Sequence, residues 1–159
     1  MKNLALTTTL FIATSTFSTL LAATTGTLLL QGVVPQRISL TVSAQAGASA
    51  LDLSTSQVDL SVASVNELSN SKTGYKMTIT SANLSKLKRT DGADIFAYTM
   101  KYNGSAVNIS SAIGATITNS AAASVNANRA VTISYTGVAP ESMVEGTYAD
   151  TVTFTIAAN

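Results

Sequence analysis

The sequence predicts an all-β fold, an immunoglobulin-like β-sandwich, and three observations predict it. Apolar and polar residues alternate with period two along most of the chain, as strands with one buried and one wet face require. Turn-forming residues separate the alternating runs, and no segment carries a convincing helical period. Gly146-x-Tyr148 stands a residue or two before the last run, where such sandwiches place a tyrosine whose phenol bonds back to the backbone. About seven short strands in roughly 135 residues fit that architecture; a small β-barrel is the alternative.

The elements follow in order. Ile38, Leu40 and Val42 alternate with Ser39, Thr41 and Ser43, and Val58, Leu60 and Val62 with Asp59, Ser61 and Ala63. Tyr75, Met77 and Ile79 share a face, as do Phe96, Tyr98, Met100 and Tyr102, and then Val131, Ile133 and Tyr135. The last run sets Val152, Phe154 and Ile156 against Thr151, Thr153 and Thr155. Turns are expected over 70–74, at Asp91-Gly92, and around Pro140 and Gly146. Asn103-Gly104 reads as a tight hairpin with positive φ. The Ala-rich stretches Ala44–Ala50 and Ser120–Asn128 read as loops or short edge strands.

Residues 1–23 read as a secretion signal. Lys2 is followed by an uncharged apolar stretch from Leu4 to Leu21, and Ala22 and Ala23 suit a peptidase. The alternative, a membrane-spanning helix, is disfavoured by the short, Thr-rich stretch and by the lack of a basic cluster after it. Without Lys2, eight basic residues balance eight acidic ones, which argues against nucleic acid as a partner. Charged residues are 11% of the chain, against roughly 25% in a typical soluble protein.

The chain has no Cys, His or Trp. That removes the usual catalytic triads, a thiol nucleophile and imidazole metal ligands. No enzyme activity, cofactor or metal is expected. Asp91, Asp94 and Asp150 are the carboxylates one would nominate for hydrolysis or calcium, but the first two stand at a turn, where Asp serves the backbone. Lys86, Lys88 and Arg89 form the one basic cluster and read as a solvated loop. Asn83, Asn103 and Asn108 each open an acceptor triplet for glycosylation, a match frequent by chance in an Asn- and Ser-rich chain.

Ahead of the first sandwich strand lies a spare apolar one, residues 24–36, set off by Pro35, Gln36 and Arg37 from a domain at 37–159. Leu28, Leu30, Gly32 and Val34 fall on one face of it. An exposed apolar strand is an aggregation hazard. Either it folds back as an edge strand of its own sheet, or it completes the sheet of another copy. Ten extended residues span roughly 33 Å. Burying the three large side chains would contribute roughly 5–9 kcal/mol before entropy, at about 1.5–3 each.

Three stretches resemble the pilins of the chaperone–usher family. Thr27–Val34 is similar to their N-terminal donor strand, with alternating apolar residues interrupted by Gly32. Gly74–Asn83 resembles a central strand leaving a turn, and Gly146–Ile156 the last pilin strand. The family's disulfide near the first strand has no counterpart here. The resemblance implies a sandwich lacking one strand, completed first by a periplasmic chaperone and then, at an outer-membrane usher, by a neighbour's donor strand. It implies Leu28, Leu30, Gly32 and Val34 as donor residues, and Val152, Phe154 and Ile156 as a wall of the acceptor groove. Identical or related subunits would be the lasting partners, in an extracellular surface fimbrium. The competing expectation is a secreted monomeric sandwich that binds carbohydrate or a host protein.

Overall fold

The computed structural model describes residues 23–159, so the expected secretion signal lies, but for Ala23, outside the described residues. The chain divides into two units, 1–33 and 34–159. The described part of the first, residues 23–33, contains no helix, strand or turn. Its Leu28, Leu29, Leu30 and Val33 are each more than 80% exposed.

The second unit is all-β. Eleven strands run in the order β1 (Ile38–Ala44), β2 (Gln57–Ser69), β3 (Tyr75–Ser81), β4 (Lys86–Arg89), β5 (Ile95–Ala97), β6 (Thr99–Tyr102), β7 (Ser105–Val107), β8 (Ala115–Asn119), β9 (Val125–Tyr135), β10 (Tyr148–Ala149) and β11 (Val152–Ala158). They form a five-stranded sheet, β1-β2-β9-β6-β7, and two three-stranded sheets, β10-β4-β5 and β11-β3-β8. Every pairing is antiparallel. The core lies between the sheets: Val65, Met100, Val131 and Ile133 meet Met77, Ile79, Leu87 and Phe96.

Period two explains most of these strands directly. In β3 the inward Tyr75, Met77 and Ile79 are buried. The Asn103-Gly104 turn joins β6 to β7 with Tyr102 opposite Ser105 and φ of 49° and 80°, the left-handed pair that a two-residue hairpin needs. Phe96, Tyr98, Met100 and Tyr102 are all buried as their common phase predicts, though β5 and β6 join different sheets. The Phe96 ring meets Tyr135 edge-on with centroids 5.4 Å apart. Tyr148 donates its phenol to the carbonyl of Val144 at 2.8 Å, the corner expected from Gly146-x-Tyr148.

Several expectations need correction. Val58 is 81% exposed rather than inward. The β2–β9 register shifts twice, between Gln57 and Leu60 and between Ser61 and Ala63, and Asp59 has a φ of 53°. Such irregularities insert residues that break the alternation. Val62 and Ala63 are consequently both buried, and the inward phase then continues through Val65, Glu67 and Ser69. Lys86–Arg89 is strand β4 and not a loop. Ala46–Ser49 forms a single 3-10 turn. Ser120–Asn128 is divided: β9 begins at Val125 and is one of the two longest strands.

Candidate functional site

The sheet β11-β3-β8 ends in β11. Its register on β3 runs from Val152 opposite Ser81 to Ala158 opposite Tyr75. Among the described residues no strand pairs with the other edge of β11. β1 is likewise paired on one side only, by β2. The two strands approach to within 8 Å between Cα atoms, yet no backbone hydrogen bond joins them. Two open edges therefore face one another.

The side chains along these edges are apolar and incompletely covered. Val152, Phe154 and Ile156 pack on the core and are only half-buried. Ile38 and Leu40 of β1 are half-buried, and Val42 is 47% exposed. Thr153 and Thr155 take the opposite face and are exposed. The three candidate groove residues thus share one face, as the alternation requires, and that face points inward with its outer flank uncovered. Near the start of β11, the segments around 50–54 and 138–150 enclose a recess of about 780 Å3, walled by Leu51, Leu53, Val138, Met143 and Tyr148.

β11 is anchored at both ends. At its start, the Asp150 carboxylate accepts hydrogen bonds from Ser81 Oγ and Tyr98 Oη, both at 2.6 Å, and from the Asn83 backbone N–H at 2.9 Å. Burial, with the Asp150 bond and charge beside it, pushes the Tyr98 phenol far above its ordinary value of 10.0. At its end, Asn159 donates Nδ2 to the carbonyls of Thr73 and Asn119, and its own carbonyl accepts from Thr73 Oγ1. A strand held at both ends presents its free edge in a fixed position.

Beneath Phe154 lies a buried polar cluster. The Phe154 ring packs against Tyr102 with centroids 6.1 Å apart. Tyr102 donates to Glu67 Oε1 at 2.5 Å, Tyr75 to Glu67 Oε2 at 2.7 Å, and Arg129 Nε to Oε2 at 3.0 Å. Glu67 is 3% exposed. Burial pushes its carboxyl upward, but the Tyr102, Tyr75 and Arg129 donors prevail and hold it below the ordinary 4.5. Burial and the Glu67 charge drive the Tyr102 phenol strongly upward. Glu67, Tyr102 and Arg129 come from the five-stranded sheet and Tyr75 from β3, so the cluster ties the two sheets together. Alternation alone missed it, because the phase read from Val58 to Val62 points Glu67 outward. A carboxylate two places after Val65, and so on the same face, would have been the signal had the bulge been visible.

The nominated carboxylates do not converge. Arg89 binds Asp94 at 2.8 Å and Asp91 at 3.2 Å, while Asp150 serves Ser81, Asn83 and Tyr98. Among the described residues no three acidic groups stand together as a metal site would need. Leu28, Leu30, Gly32 and Val34 are exposed and in no regular element. No protein-family model matches the chain, and no curated protein matches it either.

Proposed function

We propose that the chain is a structural subunit of a bacterial surface pilus, and that each subunit inserts residues 24–34 beside β11 of its neighbour. The observation that carries this reading is the unpaired outer edge of β11, with Val152, Phe154 and Ile156 half-covered behind it. The strand order supports it. An immunoglobulin-type sandwich orders its strands A-B-E-D in one sheet and C-F-G in the other. β1-β2-β9-β6 follows the first order, and β3-β11 follows C-F with, among the described residues, no G beside it. The seven residues of β11 offer an edge of roughly 23 Å, within reach of the arm. Leu28, Leu30 and Val34, all above 80% exposed, supply apolar side chains that have most of their burial still to gain.

In this reading the incoming strand bonds to the amides of β11 that β3 leaves free, the mode of strand addition used by pilin assemblies. A periplasmic chaperone covers the edge before assembly and an outer-membrane usher supervises the exchange. The mature protein, run in SDS with and without heating, tests it. A ladder of regular multimers that collapses to one band on heating is the expected result, and deletion of residues 24–34 abolishes the ladder. A single monomer band in both lanes, with a monomeric mass in native solution, overturns it in favour of a monomeric binding module, whose recess would be the cavity beside Met143 and Tyr148.

A further inference from the structure

Asn70, the residue after β2, makes three hydrogen bonds to the segment that precedes β1. Its backbone N–H donates to the carbonyl of Arg37 at 3.1 Å. Its Oδ1 accepts from the Arg37 N–H at 2.6 Å, and its Nδ2 donates to the carbonyl of Pro35 at 3.0 Å. The β1–β2 ladder closes with Ile38 opposite Ser69, so Asn70 stands where the next pair would be. Its side chain replaces the missing ladder partner and extends the pairing to Pro35. No other side chain makes a hydrogen bond to residues 35–37 among the described residues.

Two further constraints act on the same stretch of chain. Pro35 fixes its own φ near −65°, and Val34 before it is pushed into extended conformations. A tight turn that sends the chain back along β1 needs free peptide groups or positive φ in its central residues. Arg37 has both peptide groups engaged, Pro35 has neither freedom, and Val34 is β-branched. A reversal would have to begin upstream, at Gly32 and Val33, and would take Gly32 out of the donor face.

We infer that Asn70 is a positioning residue: by holding residues 35–37 as a continuation of the β1–β2 ladder, it makes folding of the arm back onto β1 unfavourable and so commits the arm to a second copy of the chain. This inference rests on the filament reading for its purpose, although the direction of the arm is measurable without it. The clamp makes the self-completed state unfavourable while leaving the arm free to enter a neighbour.

The chain has no cysteine, so a pair of nitroxides placed by Thr27→Cys and Ser43→Cys gives a clean distance by pulsed electron paramagnetic resonance, in mature protein diluted with unlabelled copies. Sixteen extended residues put the labels on the order of 50 Å apart. An arm folded back against β1 puts them below about 20 Å. The expected result is a long distance in the parent chain and a new short population in Asn70→Ala, with Asn70→Asp, which loses the bond to Pro35 alone, in between; circular dichroism checks that each variant is folded. A short distance in the parent, or a distribution unmoved by both substitutions, overturns the inference. A long distance in a chain that yields no multimers retains the arm's direction and removes the filament reading. A multimer ladder with a short distance does the reverse.

Discussion

Glu67 shows how much one residue governs. It satisfies two phenols and a guanidinium inside a core that has no cross-link. Glu67→Ala leaves Arg129 and both tyrosines without their acceptor; the Arg129 side chain is 28% exposed and can turn to water, but each buried phenol left unpaired costs about 1–3 kcal/mol. Urea unfolding should show a midpoint shift of that size, and Tyr75→Phe, which removes one hydrogen bond to a charged acceptor, about 1.5–3 kcal/mol. The pH dependence follows from the depressed carboxyl of Glu67. Its contribution is complete above the unfolded value of 4.5 and is lost as the pH falls through the lower, folded value. Stability measured from pH 6 down to pH 2 should fall below about 4.5, and less steeply in Glu67→Gln. At the other end of the scale, the phenols of Tyr98 and Tyr102 are raised, so their share is present below 10 and disappears only as the pH climbs through the folded values. Ultraviolet absorbance should show these two tyrosines ionising only on unfolding.

At the scale of the strand, β2 separates what alternation reveals from what it hides. Its inward phase reverses at the double shift near Asp59–Ala63, and a bulge leaves no mark that a two-residue period can register. Val58 and Ile79 look alike in the sequence, each the apolar member of an alternating run. In the structure Val58 is 81% exposed and Ile79 is fully buried. Val58→Thr should therefore lie within about 0.5 kcal/mol of the parent, and Ile79→Ala should cost about 2–5 kcal/mol, both by chemical denaturation. Equal effects would mean that the shift is not where the register puts it. β3, β6 and β11 were legible because each is a regular, uninterrupted strand. The Asn103-Gly104 hairpin and the Tyr148 corner were legible because their geometry depends on residues adjacent in sequence. The Asp150 anchor, the Glu67 cluster and the Asn70 clamp were not, since each joins groups 33 or more residues apart for at least one of its bonds.

For the whole molecule, the all-β class followed from composition and period. The division into three sheets did not, because it depends on which edges pair, and edge pairing is decided by long-range register rather than by local pattern. The candidate groove residues were legible as one face of a strand; that their flank is uncovered required the topology. If the arm works as proposed, its apolar face is what binds. Leu30→Asp places a charge in the joint and should eliminate the unheated multimers in SDS. Thr27→Ala, outside the apolar face, should leave them intact. The melting temperature of an isolated domain lacking 24–34 should then rise when a peptide of those residues is added, and a peptide carrying Leu30→Asp should have no such effect.

The ladder between β1 and β2 has one more consequence, a mechanical one. Seven residue pairs, Ile38–Ser69 to Ala44–Ala63, join the first strand to the second, and the Asn70 bonds continue that line to Pro35. In the filament reading, tension reaches the domain through Pro35 and Arg37 and is passed along β1. Its backbone bonds lie across the pull and share it, instead of opening one after another from an end. Forced unfolding is governed by the height of the unfolding barrier, and loading this ladder in shear raises the force needed to cross it. A thread assembled from such units would owe its tensile strength to the direction of its first strand more than to the depth of its core.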